Sequence, residues 1–184
     1  MSIDAKIAIL VVVSIGLALL TRQSLQSFHK HGLYRLCAWI ASIALILLNV
    51  EVWFFNPLDI HQVVSWLLLL LSISAVVFGY ISLLRGRVDN SRSDESLLGV
   101  EKTTQLVEAG TYRYIRHPIY SSFLTGALGV FLKDVSLAAG VLTGLVILFA
   151  VLAAKTEEAE NILYFGDAYR DYMKRTRMFI PFLL

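Results

Sequence analysis

Five apolar runs divide this chain, and they constrain its fold more than any other feature. Residues 3–20, 36–55, 63–84, 119–132 and 135–154 are almost free of charge. Crossing a bilayer core of about 30 Å takes about 20 apolar residues of helix. The second, third and fifth runs are long enough for that. The first carries Asp4 and Lys6 near its outer end. The fourth has 14 residues, about 21 Å of helix at 1.5 Å per residue, so it must tilt into a thinned region or be prolonged. Only Lys133 and Asp134 separate it from the fifth, which implies a tight hairpin. A content of 57% hydrophobic and 16% charged residues, with mean hydropathy +0.69, fits the same reading. The sequence predicts an all-α integral membrane protein with about five transmembrane helices.

The basic residues predict an orientation. Arg22, Lys30 and Arg35 lie between the first two runs, and Arg85, Arg87, Arg92, Lys102, Arg113 and Arg116 between the third and fourth. Lys155, Arg170, Lys174, Arg175 and Arg177 follow the fifth. With five crossings, 14 of the 16 lysines and arginines fall on one side, leaving Lys6 and Lys133 on the other. The positive-inside rule then places the N-terminus outside and the C-terminus in the cytoplasm. The expected location is the inner membrane of a bacterium or archaeon. The net charge of +2 is too small to imply a nucleic-acid partner. Cys37 is the single cysteine and permits no intrachain disulfide. The first run lacks a basic leader before it and reads as a span, not as a cleavable signal.

Gly110–Tyr120, Gly-Thr-Tyr-Arg-Tyr-Ile-Arg-His-Pro-Ile-Tyr, sets three tyrosines, two arginines and a histidine at the start of the fourth run. Pro118 biases His117 away from the helical region and suits the first turn of a helix. Residues 112–117 are therefore expected to be extended, with a helix from about Pro118. The start of a helix offers unpaired N–H groups to a carboxylate or phosphate. A juxtamembrane anchor is the alternative, because tyrosine and arginine are common at the bilayer interface.

Glu157, Glu158 and Glu160 continue helically from the fifth run, and Gly166 offers a stop or bend. Around and beyond it Phe165, Tyr169, Tyr172 and Met173 share one helical face, and Arg170, Lys174 and Arg177 another. That spacing predicts an amphipathic cytoplasmic helix on the membrane surface, ending before Pro181. Acidic residues at a membrane border usually have partners, although a solvated helix end beside Lys155 is the plain reading of Glu157 and Glu158. Asn49, Glu51, Trp53 and Asn56 read as an interfacial cluster at the outer end of the second run. His29 and His31 lie in a basic loop without metal-ligand spacing, and no metal site is expected.

Two regions together resemble a known family. Gln105-Leu106-Val107, Gly110-x-Tyr112 and Arg116-His117-Pro118-x-Tyr120 resemble the cofactor motif of isoprenylcysteine carboxyl methyltransferases and of related phospholipid methyltransferases. Glu157-Glu158, Phe165-Gly166, Tyr169, Tyr172 and Pro181 resemble that family's C-terminal signature, in order and spacing. The resemblance implies one membrane domain over residues 1–184. Three N-terminal spans occupy 1–84, a cytoplasmic connection 85–109, and the cofactor-binding and catalytic part 110–184. It implies S-adenosylmethionine as cofactor, with S-adenosylhomocysteine as product. Thr104, Gln105, Leu106, Val107, Tyr112, His117, Pro118, Ile119, Tyr120 and Glu157 would line the cofactor, while Glu158 and Arg116 would be catalytic. The acceptor would be lipophilic and enter from the bilayer: a prenylcysteine-like carboxylate, or the amine of a phospholipid. An NADPH-dependent reductase of the sterol-reductase type and a non-catalytic membrane protein are the alternatives. One departure bears on the acceptor. The family's substrate-contacting arginine corresponds here to Ala153, and Asn161 stands where leucine is usual. On the expectation that the missing guanidinium limits turnover, Ala153→Arg should improve the use of prenylcysteine analogues.

Overall fold

A computed structural model describes residues 1–26, 31–86 and 105–182. Its α-helices are α1 (Ile3–Leu20), α2 (Arg22–Gln26), α3 (His31–Asn49), α4 (Ile60–Gly86), α5 (Pro118–Phe131), α6 (Leu137–Phe165) and α7 (Asp167–Arg175). Short 3₁₀ turns occupy Val50–Val52 and Gly110–Arg113. No strand occurs among the described residues, whose one β-bridge joins Ile115 to Arg177 in parallel. Helices α1, α3, α4 and α6 are long and apolar enough to cross a membrane, and the protein is an integral membrane protein. The fourth apolar run is the 14-residue α5.

Packing uses small and polar residues, as expected where lipid is as apolar as leucine and hydrophobicity no longer drives helices together. Along α4, Gln62, Ser65, Ser72, Gly79 and Ser82 recur every three or seven residues and meet α5 and the segments flanking it. Ser65 Oγ donates to Gly129 O at 2.7 Å and Ser72 Oγ to Ser122 O at 2.8 Å. A Cβ on Gly126 would lie 2.9 Å from Ser72 Oγ, and one on Gly79 would lie 3.2 Å from Pro118 Cγ. The register falls steadily along α4 as it rises along α5, so the two helices are antiparallel over the whole of α5. Leu67, Leu70, Leu71 and Phe78 of α4 stay exposed, where lipid tails solvate them.

Helix α3 lies against α6 in the same manner. Ala38, Ala41 and Leu45 are buried, with Ala139, Val146, Ala150, Ala153 and Ala154 on the facing helix. Asn49 Nδ2 donates to Val130 O at 2.8 Å, capping the end of α5. Helix α1 buries no residue and leans on α3, its N-terminal amine and Lys6 both paired with Glu51.

These contacts sort the polar groups into two ends. Met1, Glu51, Gln62 and Lys133 share one end. There Lys133 is buried over the Trp66 ring, 3.6 Å from its centroid, and donates to Gln62 Oε1 at 3.0 Å. His31, Arg116, His117, Glu158 and α7 gather at the other. Helix α6 has 29 residues, about 44 Å at 1.5 Å per residue, against a hydrocarbon core of about 30 Å. Its last turns, which carry Glu157, Glu158 and Glu160, therefore have length to spare beyond the core.

Three expectations are corrected. Helix α3 begins at His31 and ends at Asn49, so Arg35 lies inside it, buried, and not in a loop. The segment 112–117 is extended only in its second half. Gly110 adopts φ +63°, and Thr111 N donates to Ser82 Oγ at 3.3 Å, which winds Gly110–Arg113 into a 3₁₀ turn against α4. The tail helix is shorter than the spacing of Arg170, Lys174 and Arg177 implied. It ends at Arg175, and Arg177 belongs to the bridge.

Candidate active site

The motif and the tail are held side by side by backbone. Arg116 N donates to Arg177 O at 2.8 Å, His117 N to Met178 O at 3.1 Å, and Arg177 N to Tyr114 O at 3.0 Å. Helix α5 then starts with Pro118 in its first turn, as expected, and His117 stands at the N-cap with φ −127° and ψ 60°. Gly166 makes the reversal that brings the tail back. Its φ of +61° and ψ of −132° lie in a region nearly closed to other residues, and α6 and α7 meet there.

Four side chains converge between the start of α5 and the end of α6. Arg116 Nε donates to Glu158 Oε1, and its Nη1 donates to Thr176 O at 2.6 Å and to Met173 O at 3.3 Å. The guanidinium thus fastens the tail to α6. His117 is buried, its Nε2 3.5 Å from Glu158 Oε1 and its Nδ1 4.0 Å from Glu157 Oε1. The first contact is long for a hydrogen bond. The ring packs against Tyr120, at 5.6 Å between centroids, and against Phe179, at 6.2 Å.

Two tyrosines of α7 close the cluster. Tyr172 donates to Tyr112 O at 2.6 Å. Tyr169 is hydrogen-bonded to Asn161, and burial, then the charges of Glu157 and Glu158, pushes its hydroxyl above the ordinary tyrosine range. Burial pushes Tyr172 up as well. Both phenols therefore keep their protons at neutral pH and remain hydrogen-bond donors. The unusual Asn161 has a structural use, as a partner for Tyr169.

The structure brings together Arg116, His117, Tyr120, Glu157 and Glu158, and Tyr112 joins them through its carbonyl. Pro118 and Ile119 face the other way, against Gly79 of α4, and set where α5 begins. Val107 is buried against Gly86 at the end of α4, Leu106 is half-buried beside it in sequence, and Gln105 is exposed. Thr104 lies outside the described residues, as does His29. Lys155 is exposed, and Ala153 is completely buried among Tyr120, Ala150, Ala154 and Phe179. An arginine at 153 would have to displace that packing.

Sequence reasoning missed the pairing of His31 with Glu160. Nδ1 lies 2.7 Å from Oε2, and both side chains are buried. The available signal was Glu160 itself, a third acid on the end of a span, which needed a partner at the same level.

A model of the phospholipid methyltransferase family matches residues 67–167, more than half of the chain. The chain belongs to that family. The matched stretch runs from α4 through the motif to the start of α7, so it contains Arg116, His117, Tyr120, Glu157 and Glu158 but not Tyr169, Tyr172 or the tail residues of the bridge. Among relatives of this phospholipid methyltransferase family protein is the protein-S-isoprenylcysteine O-methyltransferase of Schizosaccharomyces pombe (strain 972 / ATCC 24843). It is 37% identical over 79 residues, 42% of this chain and 34% of the relative. The match thus spans about a third of the relative's length. No solved structure matches the chain.

Proposed function

We propose that this protein is an integral membrane methyltransferase that uses S-adenosylmethionine to methylate a lipophilic acceptor drawn from the bilayer. The observation that carries the reading is the convergence of His117, Glu157 and Glu158 just past the apolar part of α6, under a cover made by the tail. Family membership and the name of the yeast relative support the chemistry.

The residues suit such a cofactor. His117 is a buried donor without a short hydrogen bond, placed to meet a carboxylate, and the beginning of α5 adds favourable polarity. Glu157 is half-buried and can accept from an ammonium or hydroxyl group. Tyr120, Phe179 and Tyr169 supply ring faces for a planar base and a sulfonium charge. The cofactor supplies an activated methyl group for an in-line displacement. The protein's part is alignment and exclusion of water. Arg116 holds Glu158 as a carboxylate facing the cluster, and for an amine acceptor Glu158 is the candidate base. A carboxylate acceptor needs no base.

The sidedness follows the basic residues, with α5 as a fifth, short crossing and this cluster on the cytoplasmic side. Helix α7 lies at the membrane surface, its tyrosines inward and Arg170 and Lys174 outward. The packed Ala153 favours an acceptor other than prenylcysteine, since a desolvated carboxylate without a partner is costly. A phospholipid amine is the leading acceptor class. The test is transfer of labelled methyl from S-adenosylmethionine to phosphatidylethanolamine and to a prenylcysteine analogue, in parallel. Labelling of the lipid is expected. Efficient labelling of the analogue alone would replace the amine reading with the carboxylate one.

A further inference from the structure

A pocket lies on the exposed side of the tail. It has a volume of about 220 Å³ and is lined by Arg113, Tyr114, Lys174, Arg175, Arg177 and Phe182. Four of the six residues are cations. Arg175 is paired with both oxygens of Glu108, and Lys174 with Asp171. Arg113 and Arg177 have no ion pair among the described residues, so two positive charges are uncompensated there.

The other two residues are aromatic and exposed, Tyr114 at 51% and Phe182 at 83%, with ring centroids 6.5 Å apart. Rings left bare beside arginines suit the boundary between headgroups and acyl chains. Through Arg113 the pocket borders the 3₁₀ turn that Ser82 holds against the last turns of α4, where that apolar helix ends. It is separate from the candidate active site, because Arg116 and Thr176 turn to the buried side of the same segment, towards Glu158.

We propose that Arg113, Arg177 and Lys174, flanked by Tyr114 and Phe182, bind the phosphate headgroup of an anionic phospholipid, held as a bound lipid and not as methyl acceptor. Guanidinium groups match phosphate oxygens in charge and geometry. The two rings lie where the glycerol and first methylenes of such a lipid would emerge. An acidic peptide would use the same charges but would leave the rings in water.

The protein purified in neutral detergent is titrated with dioctanoyl phosphatidylglycerol, which is anionic and has no amine to methylate. Dioctanoyl phosphatidylcholine and inorganic phosphate are the comparison probes. Binding is read by isothermal calorimetry, and integrity by the melting temperature without lipid. Phosphatidylglycerol should bind saturably and more tightly than either comparison. Arg113→Gln with Arg177→Gln should weaken it by about tenfold or more, while Arg170→Gln, on the exposed side of α7, should leave it unchanged. If the double variant melts early, Lys174→Gln replaces it and should also weaken binding. Equal binding of phosphatidylcholine, saturation by phosphate alone, or wild-type affinity in the folded variants would each overturn the proposal.

Discussion

His31, in the first turn of α3, and Glu160, in the last turns of α6, form a buried pair with Nδ1 2.7 Å from Oε2. Across 129 positions of sequence it clamps the end of α6 that also carries Glu157 and Glu158. Removing one partner of a buried hydrogen-bonded pair leaves the other unsatisfied, at a cost of about 1–3 kcal/mol, more where that group is charged. Glu160→Ala and His31→Ala should therefore each lower the melting temperature markedly in detergent. The double variant should cost less than the sum of the two, since they share one interaction. Additive losses would mean that the two side chains act separately.

Gly110 is the second sensitive point. It combines a left-handed φ with a close neighbour, since a Cβ there would lie in contact with Ser82 Oγ. Gly110→Ala should cost about 1–3 kcal/mol and loosen the motif that follows. Gly144→Ala in α6 meets nothing within 4 Å and should be neutral or slightly stabilising. Equal melting temperatures for the two variants would show that the turn is not under strain.

Ala153→Arg should lower stability and should not improve turnover of a prenylcysteine analogue. The side chain at 153 is fully buried between α5, α6 and the tail, and overpacking of such a site costs about 1–3 kcal/mol or more. A stable variant with improved turnover would show that the packing opens readily towards the acceptor.

Sidedness is tested by reporters. One fused after Leu184 should report cytoplasm, and one inserted at Asp59, between α3 and α4, should report the opposite side. A cytoplasmic signal from both would place the two ends of the bundle on the same side of the membrane and remove the topology.

The long helices and the helix start at Pro118 were legible in the sequence, because apolar length and proline stereochemistry act locally. So was the meeting of the Arg116-His117 motif with Glu157 and Glu158, through its resemblance to a known family. The partners of single polar residues were not legible. His31 with Glu160, Arg116 with Thr176, and Tyr172 with the Tyr112 carbonyl depend on which helix faces which, and local pattern carries little of that. One such signal was present but hidden. The stripe of Gln62, Ser65, Ser72, Gly79 and Ser82 marks the buried face of α4, although in this helix the apolar residues face outward. A reading tuned to hydrophobic faces passes over it.

The most direct test of the central claim is calorimetric binding of S-adenosylhomocysteine to the purified protein, beside His117→Ala and a control at His61, on the exposed start of α4 at the opposite end. The account predicts saturable binding by wild type and by His61→Ala. His117→Ala should be weaker by about 1.5–3 kcal/mol, the loss of a hydrogen bond to a charged group, which is roughly ten- to a hundredfold in affinity. NADPH should not bind. Binding of NADPH in place of S-adenosylhomocysteine, or equal affinities for the two histidine variants, would contradict it.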